Sequence, residues 1–230
     1  LAAMARVQPS IDDPVKFEIN NSLATVNMLK CSVDAKVKRF VYSASSSAYG
    51  NANKMPLREN DKTNPISPYA TQKYYGEIVC SMFAQVYEIE TVSLRYFNVY
   101  GERQSMEGAY ALVVALFAKM KMQNKPLTIR GDGEQRRDFT YVKDVVRANM
   151  LASSSKLVGK GEVINIGNGS NKSVNEIAKL IGGKTINVEP VFEPRETLAD
   201  NSLAEELLGW TPKGDIDKWI VKYKKDLGIE

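Results

Sequence analysis

The sequence predicts an α/β protein, with a parallel sheet covered by helices and a smaller α/β lobe after it. Three observations predict it. "VKRFVYSAS" and "TVSLRYFNV" are short apolar runs rich in β-formers, the pattern of strands buried on both faces. Between them, "SPYATQKYYGEIVCSMFAQV" carries apolar residues at helical spacing, so the order is that of a βαβ unit. After about residue 100 the elements shorten and mix, as in a lobe packed beside a sheet.

The elements follow in order. "DPVKFEINNSLATVNMLKCSVDAK" opens near Pro14 and spaces Phe17, Leu23, Val26, Met28 and Leu29 as one helix does. "VKRFVYSAS" is a strand ending near Ser43 to Ser45, and "GNANKMPLRENDKTNPI" is a loop full of turn residues. Ser67 caps the next helix, Pro68 takes its first position, and Ile78, Val79, Met82, Phe83 and Val86 form a core-facing stripe. "TVSLRYFNV" returns as a strand. Beyond it, "AYALVVALFAKMKM" reads as a helix, "PLTIRGDGEQRRDFTYV" as a strand with a Gly-rich turn, "VKDVVRANMLASS" as a helix and "GEVINIGNG" as a strand. Ser173 with Glu176 makes a capping box, and Ser202 with Glu205 repeats that spacing. The basic tail "KWIVKYKKDLG" reads as the solvated face of a helix. Residues 1–100 thus form the sheet domain. Residues 101–230 form mainly the lobe, with some segments returning to the sheet.

Composition narrows the chemistry. A net charge of +4 with scattered basic residues gives no groove for nucleic acid, and no apolar run reaches the length of a membrane span. Cys31 and Cys80 lack CxxC spacing and read as reduced core thiols, which suits a cytoplasmic compartment. The chain has no histidine. That removes Ser-His-Asp triads, His-ligated zinc and a His base, and leaves acid–base work to Tyr, Lys, Asp, Glu or Cys.

"SPYATQK" supplies a candidate. Tyr69 and Lys73 stand at i and i+4, on one helical face. A free phenol ionises near pH 10, so a neutral-pH base needs a downward shift of about 3 units, or about 4 kcal/mol. Two cations in a partly desolvated cleft supply that, and one exposed lysine does not. The pair therefore makes sense beside a cationic cofactor such as a nicotinamide. The alternative is a tyrosine and a lysine on a solvated helix surface. "YSASSSAYG" offers hydroxyls at the carboxyl end of a parallel strand, where open α/β sheets place ligands.

The blocks "LAAMARVQPSIDDP", "FVYSASSSAYG", "SPYATQK", "LRYFNVYGERQ", "GDGEQRRDFTYVKDVV" and "LADNSLAEELLGW" together resemble the extended short-chain dehydrogenase/reductase superfamily. Within it they are most similar to NAD-dependent nucleotide-sugar epimerases that act at C4 of UDP-glucose and UDP-N-acetylglucosamine. The resemblance implies a Rossmann-like sheet and NAD as hydride carrier. It implies Tyr69 as base, Ser45 holding the reacting oxygen, and Lys73 tuning Tyr69 and holding the nicotinamide ribose. It further implies Asn20 and Tyr96 at the cofactor, Asn98 and Arg137 at a UDP-sugar's diphosphate, and Leu112 and Val113 offering backbone groups near the nucleotide. Leu112 and Val113 read equally as core residues, and Arg137 as an ion-pair partner of Asp138 or Asp144. Ser46 and Ser47 stand where related sugar 4,6-dehydratases carry an Asp-Glu pair for elimination, so epimerisation is favoured. Thr197 matches a gate beside the sugar 2-substituent and leaves room for a 2-acetamido group. Arg195 stands in for an arginine that relatives place earlier in this segment. The resemblance also implies a homodimer through helices 15–32 and 68–88.

One departure is large. The family's strand, Gly-rich turn and helix for the cofactor pyrophosphate have no counterpart in the sequence. On the order of 70–80 residues of a cofactor domain are therefore expected to lie outside this chain. Weak NAD binding and no turnover by the chain alone are expected with them. A fragment of an epimerase, a chain that covers its open sheet edge with a second copy, and a non-catalytic sugar-nucleotide binder all fit that pattern. A dehydratase or reductase of the same superfamily is the other enzymatic reading.

Overall fold

The computed structural model describes residues 3–52, 54–108, 111–191 and 193–229. Strands β1 (Arg39–Ser45), β2 (Glu90–Tyr96) and β6 (Lys160–Ile166) form a parallel sheet in the order β1-β2-β6. Helix α4 (Pro68–Val86) connects β1 to β2 and lies on one face. Helices α6 (Val142–Ser154) and α8 (Ser202–Leu208) cover the other, sealing Val92, Leu94, Ile164 and Trp210. This is the Rossmann-like arrangement expected.

The lobe is built from two smaller sheets. Strands β3 (Asn98–Tyr100), β5 (Arg136–Tyr141) and β7 (Asn171–Ser173) form one, and β4 (Leu127–Arg130) with β8 (Thr185–Val188) the other. Helices α5 (Val113–Met122), α7 (Val174–Ile181) and α9 (Ile216–Leu227) close its core around Phe117, Leu127, Ile177 and Ile220. "TVSLRYFNV" is therefore two strands in two sheets, broken at Phe97, whose ring is buried with Tyr49 and Leu57.

Several expectations need correction. The first long helix is divided into α2 (Pro14–Glu18), a π-helical turn over Ile19–Leu23, and α3 (Ala24–Asp34), preceded by the short α1 (Val7–Asp12). In α4 only Val79 and Phe83 of the apolar stripe are buried, while Ile78, Met82 and Val86 face outward. Cys80 is a core thiol but Cys31 is exposed. The box of Ser173 and Glu176 forms. Ser202 instead begins α8 and bonds Asp200, with Asn201 at the cap position. Of the predicted helix "AYALVVALFAKMKM", Ala109 and Tyr110 lie outside the described residues and α5 begins at Val113. Helix α9 is amphipathic, burying Trp219 and Ile220. Among the described residues no helix is long and apolar enough to cross a membrane.

Two buried networks hold the site's frame. Glu77 on α4 and Arg95 on β2 form a forked ion pair, Nε to Oε1 at 2.9 Å and Nη2 to Oε2 at 2.7 Å, with both side chains almost fully buried. Burial works against the charged arginine, but the hydrogen bonds and charge of Glu77 overcome it and raise its pKa. The guanidinium also lies 4.6 Å from the Tyr49 ring centroid. In the lobe, the buried Asp138 carboxylate accepts from the N–H groups of Asn168, Gly169 and Ala199, binding β5 to two loops at once.

Candidate active site

The site forms where β1 and β2 end. Helix α4 packs on β1 and on the short turn Ser46–Tyr49 that follows Ser45. Ser67 caps it, accepting from Ala70 N at 3.2 Å. Ser10, fully buried in α1, accepts from Tyr69 N at 3.1 Å and donates to Val7 O at 2.6 Å. The N-terminal segment thus fixes the backbone of the proposed base.

Lys73 is 7% exposed. Its Nζ donates to Ser43 O at 2.8 Å and lies 5.2 Å from the Tyr42 ring centroid. Burial pulls its pKa down from the usual 10.5 to about 8. At neutral pH it is still mainly charged, a desolvated cation one helical turn from Tyr69. Gly76 permits this packing, since a Cβ there would meet the Tyr42 hydroxyl at 2.2 Å. Tyr69 is half-buried and interacts electrostatically with Arg6 and Tyr42. Arg6 donates to Ala111 O, so its guanidinium joins the N-terminal turn to the segment entering α5. Its φ of 99° is a left-handed conformation uncommon for a side-chain-bearing residue.

Ser45 ends β1 in register with Tyr96, and its Oγ accepts from Ser47 Oγ at 2.9 Å and Ser47 N at 3.2 Å. Ser46 begins the short 3-10 turn that follows, and it is half-buried. The Tyr96 hydroxyl turns toward α6, donating to Asn149 Oδ1 at 2.9 Å and lying 3.4 Å from Ser43 Oγ.

The other positions divide. Asn98 opens β3, half-buried, opposite Phe139. Leu112 caps and Val113 opens α5, whose first turn has no side-chain cap bond, and Val113 packs partly against the lobe core. Asn20 is exposed and its amide folds back onto Lys16 O at 2.8 Å. Its neighbour Asn21 is the buried one, bonded to Met4 and to Gln72 Oε1. Arg137 is 9% exposed and pairs with Glu193 at 2.7 Å, which corrects the alternative of Asp138 or Asp144 as its partner. Arg195 is exposed and held by both carboxylate oxygens of Asp132, at 2.8 and 2.9 Å. Thr197 is buried, with its hydroxyl accepting from Asp138 N at 3.2 Å.

Sequence reasoning missed Ser10, Arg6, Tyr42 and Glu193. An isolated glycine inside the α4 pattern was the one available signal for Tyr42. The others depend on long-range folding that no local pattern carries.

Lys73, a buried cation, lies against the end of β1, whose Ser43 and Ser45 carry hydroxyls, and the phenol-bearing Tyr69 stands one turn before it on α4, a donor set of the type that suits the nicotinamide-ribose end of a dinucleotide. The two Gly-containing turns are otherwise engaged. The amides of Asn168 and Gly169 are given to Asp138, and "GDG" is packed against Asn175 and Arg195.

The family described as GDP-mannose 4,6 dehydratase matches residues 1–223. A putative UDP-glucose 4-epimerase of Methanocaldococcus jannaschii is 38% identical over 227 residues, spanning 95% of this chain and 72% of the relative. The UDP-glucose 4-epimerase of Thermotoga maritima, solved with UDP-glucose, superposes with a TM-score of 0.92 at 36% identity, over 98% of this chain and 76% of that one. The UDP-glucuronic acid 4-epimerase of Bacillus cereus, solved with UDP-glucuronic acid and NAD, gives 0.89 at 33% identity, over 99% and 74%. Matched along nearly its whole length in sequence and in fold, the chain belongs to this family, within the NAD-dependent epimerase/dehydratase superfamily.

Proposed function

We propose that this chain carries the substrate side and the acid–base machinery of a UDP-sugar 4-epimerase. The observation that supports this most is buried Lys73, whose Nζ reaches Ser43 O near the end of β1, with Tyr69 one turn before it on α4 and Ser45 two residues further along the strand. Ser46 and Ser47 add to it, because hydroxyls there cannot perform the acid–base work of an elimination. The dehydratase in the family's description is thus the less favoured reaction.

NAD, when bound, supplies reversible hydride removal at the sugar carbon. Ser45 holds the C4 oxygen by hydrogen bond, and Tyr69 accepts its proton as hydride leaves. Lys73 favours the phenolate by its charge, with Arg6 as a further positive neighbour. Tyr69 then returns the proton after the 4-keto sugar has turned over. Lys73 and Tyr69 are the residues proposed for the nicotinamide ribose, with Tyr96 and Asn20 as the remaining cofactor contacts. Asn98 and Arg137 are proposed for the sugar-nucleotide diphosphate, with Arg195 as a further candidate there, and Leu112 and Val113 for backbone contacts near the nucleotide. Thr197 is small enough to admit UDP-GlcNAc and UDP-GalNAc as well as UDP-Glc and UDP-Gal.

The chain alone is proposed to bind UDP-sugars without holding NAD tightly. Calorimetric titration with UDP and with NAD separately tests this. UDP binding in the micromolar to millimolar range with NAD much weaker is expected. Tight NAD binding would overturn the cofactor half, and absence of UDP binding would overturn the function.

A homodimer is proposed through α2–α3 and α4. Val15, Ile19, Leu23 and Met28 on one side, and Ile78, Met82 and Val86 on the other, form exposed apolar stripes of the kind that mark interaction surfaces. A purely monomeric species in sedimentation at micromolar concentration would contradict it.

A further inference from the structure

Helices α5, α7 and α9 bring lysines together at the start of β4. Helix α5 ends at Met122, and the chain turns through Asn124, whose φ of 52° is the left-handed conformation that asparagine tolerates. Lys125 follows this turn and leads into β4. Helix α7 ends at Ile181, and Gly182 and Gly183, at φ 77° and 133°, carry the chain to Lys184 and β8. Leu127 N donates to Lys184 O at 2.7 Å, which sets the two turns side by side. Between them lies a cleft of about 250 Å³, lined by Lys121, Asn124, Lys125, Pro126, Leu127 and the Gly183–Lys184 turn.

Two of the ammonium groups here serve the fold. Lys121 Nζ donates to Ile181 O at 2.9 Å, and Lys224 Nζ, from α9, donates to Leu180 O at 3.1 Å. Both therefore meet the negative end of α7. Burial first, and then the charge of Lys224 behind it, lower the Lys121 pKa from its usual value. Lys125 and Lys184 serve no such contact. Both are exposed, and neither side chain makes a hydrogen bond or ion pair among the described residues. No carboxylate pairs with any of the four lysines among the described residues.

Four cations without a counter-charge beside one concavity make a positive potential that favours a multiply charged anion. Each ammonium carries three donors and suits phosphoryl oxygens as a point charge. No aromatic ring lines the cleft to stack a base, so a bare anion fits it better than a nucleotide. We infer that this cleft binds a condensed phosphate, an anion of two or three linked phosphoryl groups. The site is distinct from that of Tyr69 and Arg137, because it lies at the start of β4, whose other end runs on to Asp132 and Arg195. A bound anion ties the turn after α5 to the turn before β8 and stabilises the lobe by mass action.

The test titrates inorganic tripolyphosphate into the full chain by calorimetry and follows the melting temperature. It compares the parent with the double variant Lys125→Ala, Lys184→Ala. One tripolyphosphate per chain is expected to bind at about 1 mM or below and to raise the melting temperature. The double variant should bind it about fivefold to thirtyfold more weakly, the range for two partly exposed charge contacts. Without anion its melting temperature should match the parent's, since neither side chain bonds another residue. Should alanine lower it, Lys125→Gln with Lys184→Gln repeats the comparison with longer side chains. UDP should bind the parent and the double variant equally. Inorganic phosphate should bind more weakly than tripolyphosphate, and equal binding would overturn the assignment to a condensed phosphate. Absence of saturable binding below about 10 mM, or equal tripolyphosphate binding by parent and double variant, overturns the inference. So does binding that Arg137→Ala abolishes while the double variant keeps it, which would put the anion in the sugar-nucleotide site.

Discussion

Glu77→Gln is expected to destabilise the chain by about 3–5 kcal/mol, because it leaves the Arg95 guanidinium buried without a counter-charge. The amide retains one acceptor, but the forked pair at 2.9 and 2.7 Å needs two. The loss should appear as a lower denaturation midpoint with an unchanged slope. Replacing both residues, as Glu77→Leu with Arg95→Met, should recover much of it, since the desolvation cost of both charges then disappears. A single variant within about 1 kcal/mol of the parent would mean that water reaches Arg95.

Lys73→Met is expected to act in the opposite direction on stability. Folding lowers the Lys73 pKa from 10.5 to about 8, so the folded state holds its proton less tightly than the unfolded chain. The resulting penalty is complete below pH 8 and is relieved as pH rises from 8 to 10.5. Its size is at most about 3 kcal/mol, offset by the lost bond to Ser43 O, worth about 1 kcal/mol. Methionine keeps the contact with the Tyr42 ring and carries no charge. A gain of about 1–2 kcal/mol at pH 7 that shrinks toward pH 10 is the expected result. A loss of stability at pH 7 would show that Lys73 is a structural tie. A lysine that costs stability where it sits is understandable if its charge serves the neighbouring phenol.

How much of this was legible in the sequence follows from which interactions are local. The strand–helix–strand order, the caps at Ser67 and Ser173, and the Tyr69–Lys73 spacing are set within a few residues, and they were readable. The division of the α4 stripe was not. Val79 and Phe83 face the sheet while Ile78, Met82 and Val86 face outward, and one helix with two apolar faces gives a single broad pattern. Nor could sequence spacing reveal that Ser10 bonds the backbone at Tyr69, or that Glu193 meets Arg137. Each joins segments more than fifty residues apart. Asn20 and Asn21 show the same limit, since adjacent asparagines differ only in which one the π-helical turn rotates inward.

The most direct measurement is the pH at which Tyr69 ionises, read by ultraviolet difference titration against Tyr69→Phe, in the parent chain and in Lys73→Met, with and without saturating NAD. The expected result is ionisation below the usual value of about 10 in the parent, lower again with NAD, and shifted upward in Lys73→Met. Ionisation at or above the free-tyrosine value, insensitive to residue 73, would contradict the account.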